Sequence, residues 1–289
     1  MTWYPVVEAE RDGERLAVHR GPGDGPALVL AHGLEDSWHT WRPFVDELGT
    51  DLPFTPYALD LPWRAGARYG WVYRTHPATL LRHALALLPE PPALLVGHSF
   101  GANAVLELLA AADRPAPTTP ARRVCHRAAT WSRRLDGVVL LAPHFRPPDD
   151  PVDWRLHDRE LARFRAVIGE GLRLRLGERR HTLDPDLVDT MVAKALDRVS
   201  PLAFVALLRQ FLTTAELGLD AVTVPTLVVT GTLDPALAGA RTEALRRAMP
   251  VASVHTRPDG GHFCHLEQAA AVTAEIRRFL AALPTPTLA

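Results

Sequence analysis

Gly97-His98-Ser99-Phe100-Gly101 joins two segments of different character. Residues 93–96 (Ala-Leu-Leu-Val) form a short apolar run of buried-strand type, and residues 102–112 are small and apolar with the length of a helix. A Gly-x-Ser-x-Gly between a strand and a helix is a sharp turn that lifts its serine hydroxyl above the end of a sheet. Glycines on both sides leave space that side chains would obstruct. The spacing makes Ser99 a candidate nucleophile.

A serine hydroxyl needs a base to take its proton and an acid to orient that base. Pro225-Thr226-Leu227-Val228-Val229-Thr230-Gly231 is a β-branched strand run, and Thr232-Leu233-Asp234-Pro235 sets a carboxylate just past its end. Residues 251–256 form another strand run, followed by Arg257-Pro258-Asp259-Gly260-Gly261-His262-Phe263, a loop that presents an imidazole. The chain order is thus Ser99, Asp234, His262. Plainer roles compete at two positions: Asp234 before Pro235 suits a helix cap, and His265 stands close enough in sequence to rival His262 as base. Upstream, Ala27-Leu28-Val29-Leu30-Ala31-His32-Gly33-Leu34 is a strand ending in a loop. Its Leu34 amide, with the amide of Phe100, suits an oxyanion hole.

Four segments, Leu30-Ala31-His32-Gly33, Val96-Gly97-His98-Ser99-Phe100-Gly101, Gly231-Thr232-Leu233-Asp234 and Gly260-Gly261-His262-Phe263-Cys264-His265-Leu266-Glu267, follow in one order. Together they resemble the cap-bearing branch of the α/β-hydrolase superfamily, over about residues 16–283. The resemblance implies an α/β fold: a mostly parallel central sheet flanked by helices, with a helical cap inserted. It also implies Ser99, His262 and Asp234 as a catalytic triad that needs no cofactor, and leaves the substrate open.

Length and composition fit this picture. The 289 residues suffice for one core with an insertion. A formal net charge of −1 and a pI near 6.9 give no general attraction to nucleic acid or to an anionic membrane. Lys194 is the only lysine, so the basic residues are almost all arginine. Two cysteines, Cys125 and Cys264, do not make a disulfide framework, which points to a reducing, cytoplasmic setting. The amino-terminal residues lack a basic region followed by an apolar run, and no stretch is long and apolar enough to span a bilayer.

Along the chain, candidate strands at 28–31, 54–59, 94–96 and 138–141 alternate with helical segments, the pattern of a parallel sheet covered by helices. From residue 144 to 221 the strand signal disappears. Leu161, Phe164, Ile168 and Leu172 recur at helical spacing, as do Leu187, Val188, Met191, Val192, Ala195, Leu196 and Val199. Leu202, Val205, Leu208, Phe211 and Leu212 give a third helix, begun by Ser200-Pro201 at the N-cap and first turn. Residues 144–221 therefore read as a cap, and 1–143 with 222–289 as the core. A last helix carries Val272, Ile276, Phe279 and Leu280 on one face.

The expected substrate is a small to medium, largely apolar ester, because a cap rich in Leu, Phe and Val roofs an apolar pocket. Phe164, Met191 and Phe211 are candidate pocket residues from the cap, and Trp63 is a candidate for the pocket entrance, in Asp60-Leu61-Pro62-Trp63-Arg64-Ala65-Gly66, where many relatives have a glycine-rich loop. Each suits packing equally well. His32 and His98 are further candidates for substrate contact, or hydrogen-bond to loops around the turn; no convergent His, Cys and carboxylate set at ligand spacing accompanies them as a metal site. Cys264 reads as an apolar filler. The arginine-rich stretch 114–134 is either a solvated loop or a docking patch for an acidic partner such as an acyl carrier protein. Thioesterase, acyl-transferring cyclase and carbon–carbon hydrolase are alternative activities of the same triad. A ligand-binding scaffold without turnover is the alternative outside catalysis.

Overall fold

Short runs such as Ala27-Leu28-Val29-Leu30-Ala31 are too short and too evenly apolar for an amphipathic helix, and they become strands buried on both faces. In the computed structural model, which describes residues 2–49, 53–112, 135–237 and 239–283, they build one eight-stranded sheet. Its strands are β1 (Tyr4–Arg11), β2 (Glu14–Arg20), β3 (Ala27–Ala31), β4 (Thr55–Asp60), β5 (Leu94–His98), β6 (Gly137–Leu141), β7 (Thr226–Gly231) and β8 (Ala252–Arg257). Their order across the sheet is β1-β2-β4-β3-β5-β6-β7-β8, with β3 to β8 all parallel.

The first two strands, absent from the sequence reading, pair antiparallel with each other and with β4. Their turn is Asp12-Gly13, both at positive φ (54° and 74°), a geometry that two-residue hairpins require. That dipeptide was the available signal.

Helices cover the parallel strands: α1 (Trp41–Leu48) after β3, α2 (Pro77–Leu85) after β4 and α3 (Phe100–Ala112) after β5. Between β6 and β7 lie α4 (Trp154–Arg175), α5 (Arg179–Thr182), α6 (Pro185–Leu196) and α7 (Pro201–Thr214). The sequence reading expected three helices here, and the short α5 is the addition. Their starts follow local chemistry. Asp153 accepts from the Leu156 amide (2.9 Å), Asp184 from Asp186 and Leu187, and Ser200 from Leu202 with Pro201 in the first turn. After β7 come α8 (Ala240–Ala248), α9 (Cys264–Glu267) and α10 (Ala269–Ala282). Val272 and Ile276 of α10 bury against Trp41 and Phe44 of α1, with Phe279 and Leu280 alongside.

The strand order reverses between β3 and β5: the chain leaves β3 for β4 on one side and returns to β5 on the other. Connecting loops diverge at such a point and leave a crevice at the carboxyl ends of the strands. The Gly33 and Ser99 loops open there.

Candidate active site

Ser99 follows β5 directly and takes φ of +52°, a left-handed conformation that a non-glycine residue adopts at a cost of about 1 kcal/mol or more. Its surroundings impose it. The Ser99 amide donates to the Leu141 carbonyl of β6 (2.8 Å), and its carbonyl accepts from Asn103 as α3 begins (3.0 Å). A Cβ at position 97 would sit 2.6 Å from Ala102 Cα, and one at position 101 would sit 2.5 Å from the Ala31 and His32 carbonyl oxygens. Only glycine fits this tightly folded turn at either place.

Asp234 and His262 meet at the ends of the next strands. The His262 Nδ1–H donates to Asp234 Oδ1 (2.9 Å), and both side chains are almost fully buried. The same Asp234 oxygen accepts from the Ala236 amide (2.8 Å), so the capping role and the pairing role coexist. Burial by itself would lower the histidine; the facing carboxylate outweighs it and holds His262 above its ordinary value. Burial would likewise raise Asp234, but the imidazole and the Ala236 amide hold it below the usual carboxylate range. The opposite signs are what a mutually stabilising pair gives. His262 Nε2 has no hydrogen-bond partner among the described residues.

Ser99 and His262 line one cavity with Gly33 and Leu34 from the β3 loop and His98, His144, Phe263, Ala236 and Arg241 from the core. The helical layer contributes Glu160, Arg163, Phe164, Val167, Ile168, Leu207 and Phe211. The Phe100 amide opens α3, where first-turn N–H groups lack intrahelical partners, while its side chain packs edge-on to Trp63 (centroids 5.3 Å).

Other sequence candidates occupy different places. His98 lines the cavity and donates from Nε2 to the His262 carbonyl (3.2 Å). His32 stays behind the lining: its Nδ1 donates to the Gly33 carbonyl (2.8 Å) and its Nε2 accepts from the Leu61 amide (3.1 Å), tying the β3 loop to the β4 loop. Trp63 is not at a pocket entrance. It is fully buried and donates to the His32 carbonyl (2.9 Å), because its large ring fills the space under the same loop. Phe164 and Phe211 line the cavity, whereas Met191 stands 41% exposed on α6 and does not. His265 is fully buried among His98, Trp41 and Phe44, and burial holds it well below its ordinary value. Burial pushes the Cys264 thiol up to about 12, which keeps it from forming a thiolate. The arginine-rich stretch 114–134, with Cys125, lies outside the described residues. Among the described residues, no helix is long and apolar enough to cross a membrane, and no three His, Cys, Asp or Glu side chains group to hold a metal ion.

His144, Glu160, Arg163 and Arg241 are among the cavity residues that escape the sequence reading. His144 follows β6, held by Asn103, whose amide side chain bonds both its carbonyl (2.7 Å) and its N–H (2.9 Å). Burial drops its pKa to about 3, so it stays neutral. Glu160, Arg163 and Arg241 form an ion cluster across α4 and α8, with Glu160 and Arg241 buried. The i, i+3 spacing of Glu160 and Arg163 was readable, but nothing local pointed to Arg241, 81 residues from Glu160.

Residues 28–276 match the alpha/beta hydrolase family, and the chain belongs to it. It is 26% identical over 265 residues to the magnesium-chelatase 30 kDa subunit of Rhodobacter capsulatus, covering 86% of this chain and 84% of that protein. A bacterial membrane phospholipase A, described as a virulence factor, superposes with a TM-score of 0.66 at 18% identity, over 96% of this chain and 86% of its own. The thioesterase domain from the curacin biosynthetic pathway superposes with a TM-score of 0.62 at 16% identity, over 96% of this chain and all of that domain. At such identities the solved structures establish the fold, and their differing names leave the reaction open.

Proposed function

We propose that this protein is a serine hydrolase that cleaves an ester-type bond of a small to medium substrate through an acyl-enzyme on Ser99. The observation that carries the reading is the pairing of His262 Nδ1 with Asp234, which leaves Nε2 unpartnered in the cavity that Ser99 also lines. Asp234 orients the ring and supports the imidazolium. His262 takes the Ser99 proton at Nε2 as Oγ bonds to the substrate carbonyl carbon. The Leu34 and Phe100 amides receive the oxyanion. The proton then passes from Nε2 to the leaving oxygen as its bond to carbon breaks. Water repeats the sequence: its proton goes to Nε2, its oxygen bonds to the acyl carbon, and Ser99 Oγ leaves with the proton. Helices α4 to α7 act as a cap, residues 144–221, whose Phe164, Ile168, Leu207 and Phe211 give the acyl chain apolar walls.

A serine-directed fluorophosphonate tests this reading. Rapid stoichiometric labelling of Ser99, abolished in Ser99→Ala, is expected. The same Ser99→Ala variant is expected to lose about a million-fold in turnover of whichever substrate the wild type accepts from a panel of esters, thioesters and diketones. No labelling of the wild-type protein would favour a binding scaffold instead.

A further inference from the structure

Two carboxylates line the cavity, Asp36 and Glu160, together with two guanidiniums, Arg163 and Arg241. Asp36 is matched by Arg175 from the end of α4, whose Nη2 donates to its Oδ1 (3.0 Å). Arg241 is held by more contacts: Nη1 reaches Glu160 Oε2 and the Ala236 carbonyl (both 3.2 Å), Nη2 reaches Glu160 Oε1 (2.5 Å), and its Cζ lies 4.5 Å from the Phe211 ring centre. Arg163 makes a single bond, from Nη1 to Glu160 Oε1 (2.5 Å), and its Nε and Nη2 donate to nothing else among the described residues. Glu160 is therefore shared by two guanidiniums, those of Arg163 and Arg241. His98 and His144, both lowered to about 3 by burial, add no charge. Glu170, further along α4, abuts Gly261 and does not line the cavity.

We infer that Arg163 selects substrates whose acyl chain carries a free carboxylate. A guanidinium presents donors in a planar fork matched to a carboxylate, and among the described residues Arg163 uses one of its donors, on Glu160. Because Glu160 already answers Arg241 with both oxygens, a carboxylate from the substrate would complete the pairing of Arg163. The neighbouring lining residues on α4, Phe164, Val167 and Ile168, are apolar, so the fitting acyl group is a chain with a carboxylate at its far end, a dicarboxylic half-ester. Arg241 is a positioning residue: its bidentate hold on Glu160 fixes the carboxylate against which Arg163 rests.

The inference rests on the reading of this cavity as the site of ester cleavage, and the experiment separates the two. Wild-type, Arg163→Gln and Arg163→Lys proteins are assayed with the mono-4-nitrophenyl ester of adipate and with its methyl-capped neutral counterpart, the uncatalysed rates being subtracted. The wild type is expected to favour the charged ester in kcat/KM by about tenfold or more. Arg163→Gln should lose that preference, kcat/KM falling by about tenfold or more further for the charged ester than for the neutral one, and Arg163→Lys should retain part of it. No preference in the wild type, or an equal fall on both esters in Arg163→Gln, overturns the inference. If the wild type turns over neither ester, the fluorophosphonate labelling of Ser99 decides the hydrolase reading separately. Adipate binding by calorimetry then decides the charge assignment: tighter binding to the wild type than to Arg163→Gln upholds it, and equal binding overturns it.

Discussion

Ser99, Asp234 and His262 stand on turns that leave β5, β7 and β8, whereas Glu160, Arg163, Phe164, Ile168, Leu207 and Phe211 reach the same cavity from α4 and α7. The first group is held by backbone. The Ser99 amide is bonded into β6, Asp234 N bonds to the Gly231 carbonyl (3.2 Å), and Thr232 N and Leu233 N bond to the carbonyls of Arg257 and Gly260. The second group is held to the core by side chains far apart in sequence: Arg175 on Glu35 and Asp36, Arg209 on the Val72 carbonyl, Arg241 on Glu160. Main-chain geometry fixes the first group, the floor, in place. The helical layer, the roof, tied to the core by a few side-chain contacts, is easier to loosen.

The sharpest test of the floor is Asp234→Asn. The change keeps the shape but removes the acceptor that selects the His262 tautomer, so kcat should fall by about 10⁴-fold. The pH profile should move as well. A base works when neutral, and His262 is raised in the folded protein, so the acid limb of kcat/KM in the wild type should lie above the ordinary histidine value of about 6.5. In Asp234→Asn the raising carboxylate is gone and burial remains, so the residual activity should have its limb below that value. A limb that stays in place would show that Asp234 does not set the charge of His262, and the contrast between floor and roof would lose its main support.

The next test is on the roof. Glu160→Gln leaves the Arg241 guanidinium buried without its counter-charge, and breaking one partner of a buried pair costs about 3 kcal/mol or more. A shift of that size in the denaturation midpoint is expected at unchanged slope. Arg163→Gln, at a side chain about one-third exposed, should cost less than about 1 kcal/mol. Equal costs would mean that Glu160 does not depend chiefly on Arg241.

The same division explains what could be read from the sequence. The parallel strands, the glycines flanking Ser99, the Ser200-Pro201 helix start and the approach of Asp234 to the His262 loop depend on interactions within a few residues or on the order of strands, and both leave local patterns. For Trp63 the sequence leaves an entrance role and a packing role open, because a buried tryptophan and one near a pocket entrance look alike until the neighbouring loop is known. His32 takes the loop-bonding role that the sequence also offers. The β1–β2 hairpin was passed over although Asp12-Gly13 marked it. The Glu160–Arg241 pair leaves no local trace: an ion pair spanning 81 positions is visible only when the helices are packed.

The smallest expected effect separates residues that face the cavity from those that only resemble them in sequence. Phe164 and Met191 are both apolar and both lie at helical spacing in the inserted helices, yet Phe164 is 7% exposed and lines the cavity while Met191 points away from it. Phe164→Leu removes part of one wall without opening the cap, so it should alter discrimination along a graded series of esters by a few-fold to tenfold, within the ~1–3 kcal/mol that a methylene-scale difference in a pocket supplies. Met191→Leu exchanges one exposed apolar side chain for another and should leave both stability and the ester series unchanged within about 0.5 kcal/mol. The measurement is kcat/KM for each variant across the series, normalised to the fraction of enzyme that fluorophosphonate labels. A change for Met191→Leu as large as for Phe164→Leu would mean that the helical layer rearranges as a unit when substrate binds, and that the walls seen in this structure are not the walls the substrate meets.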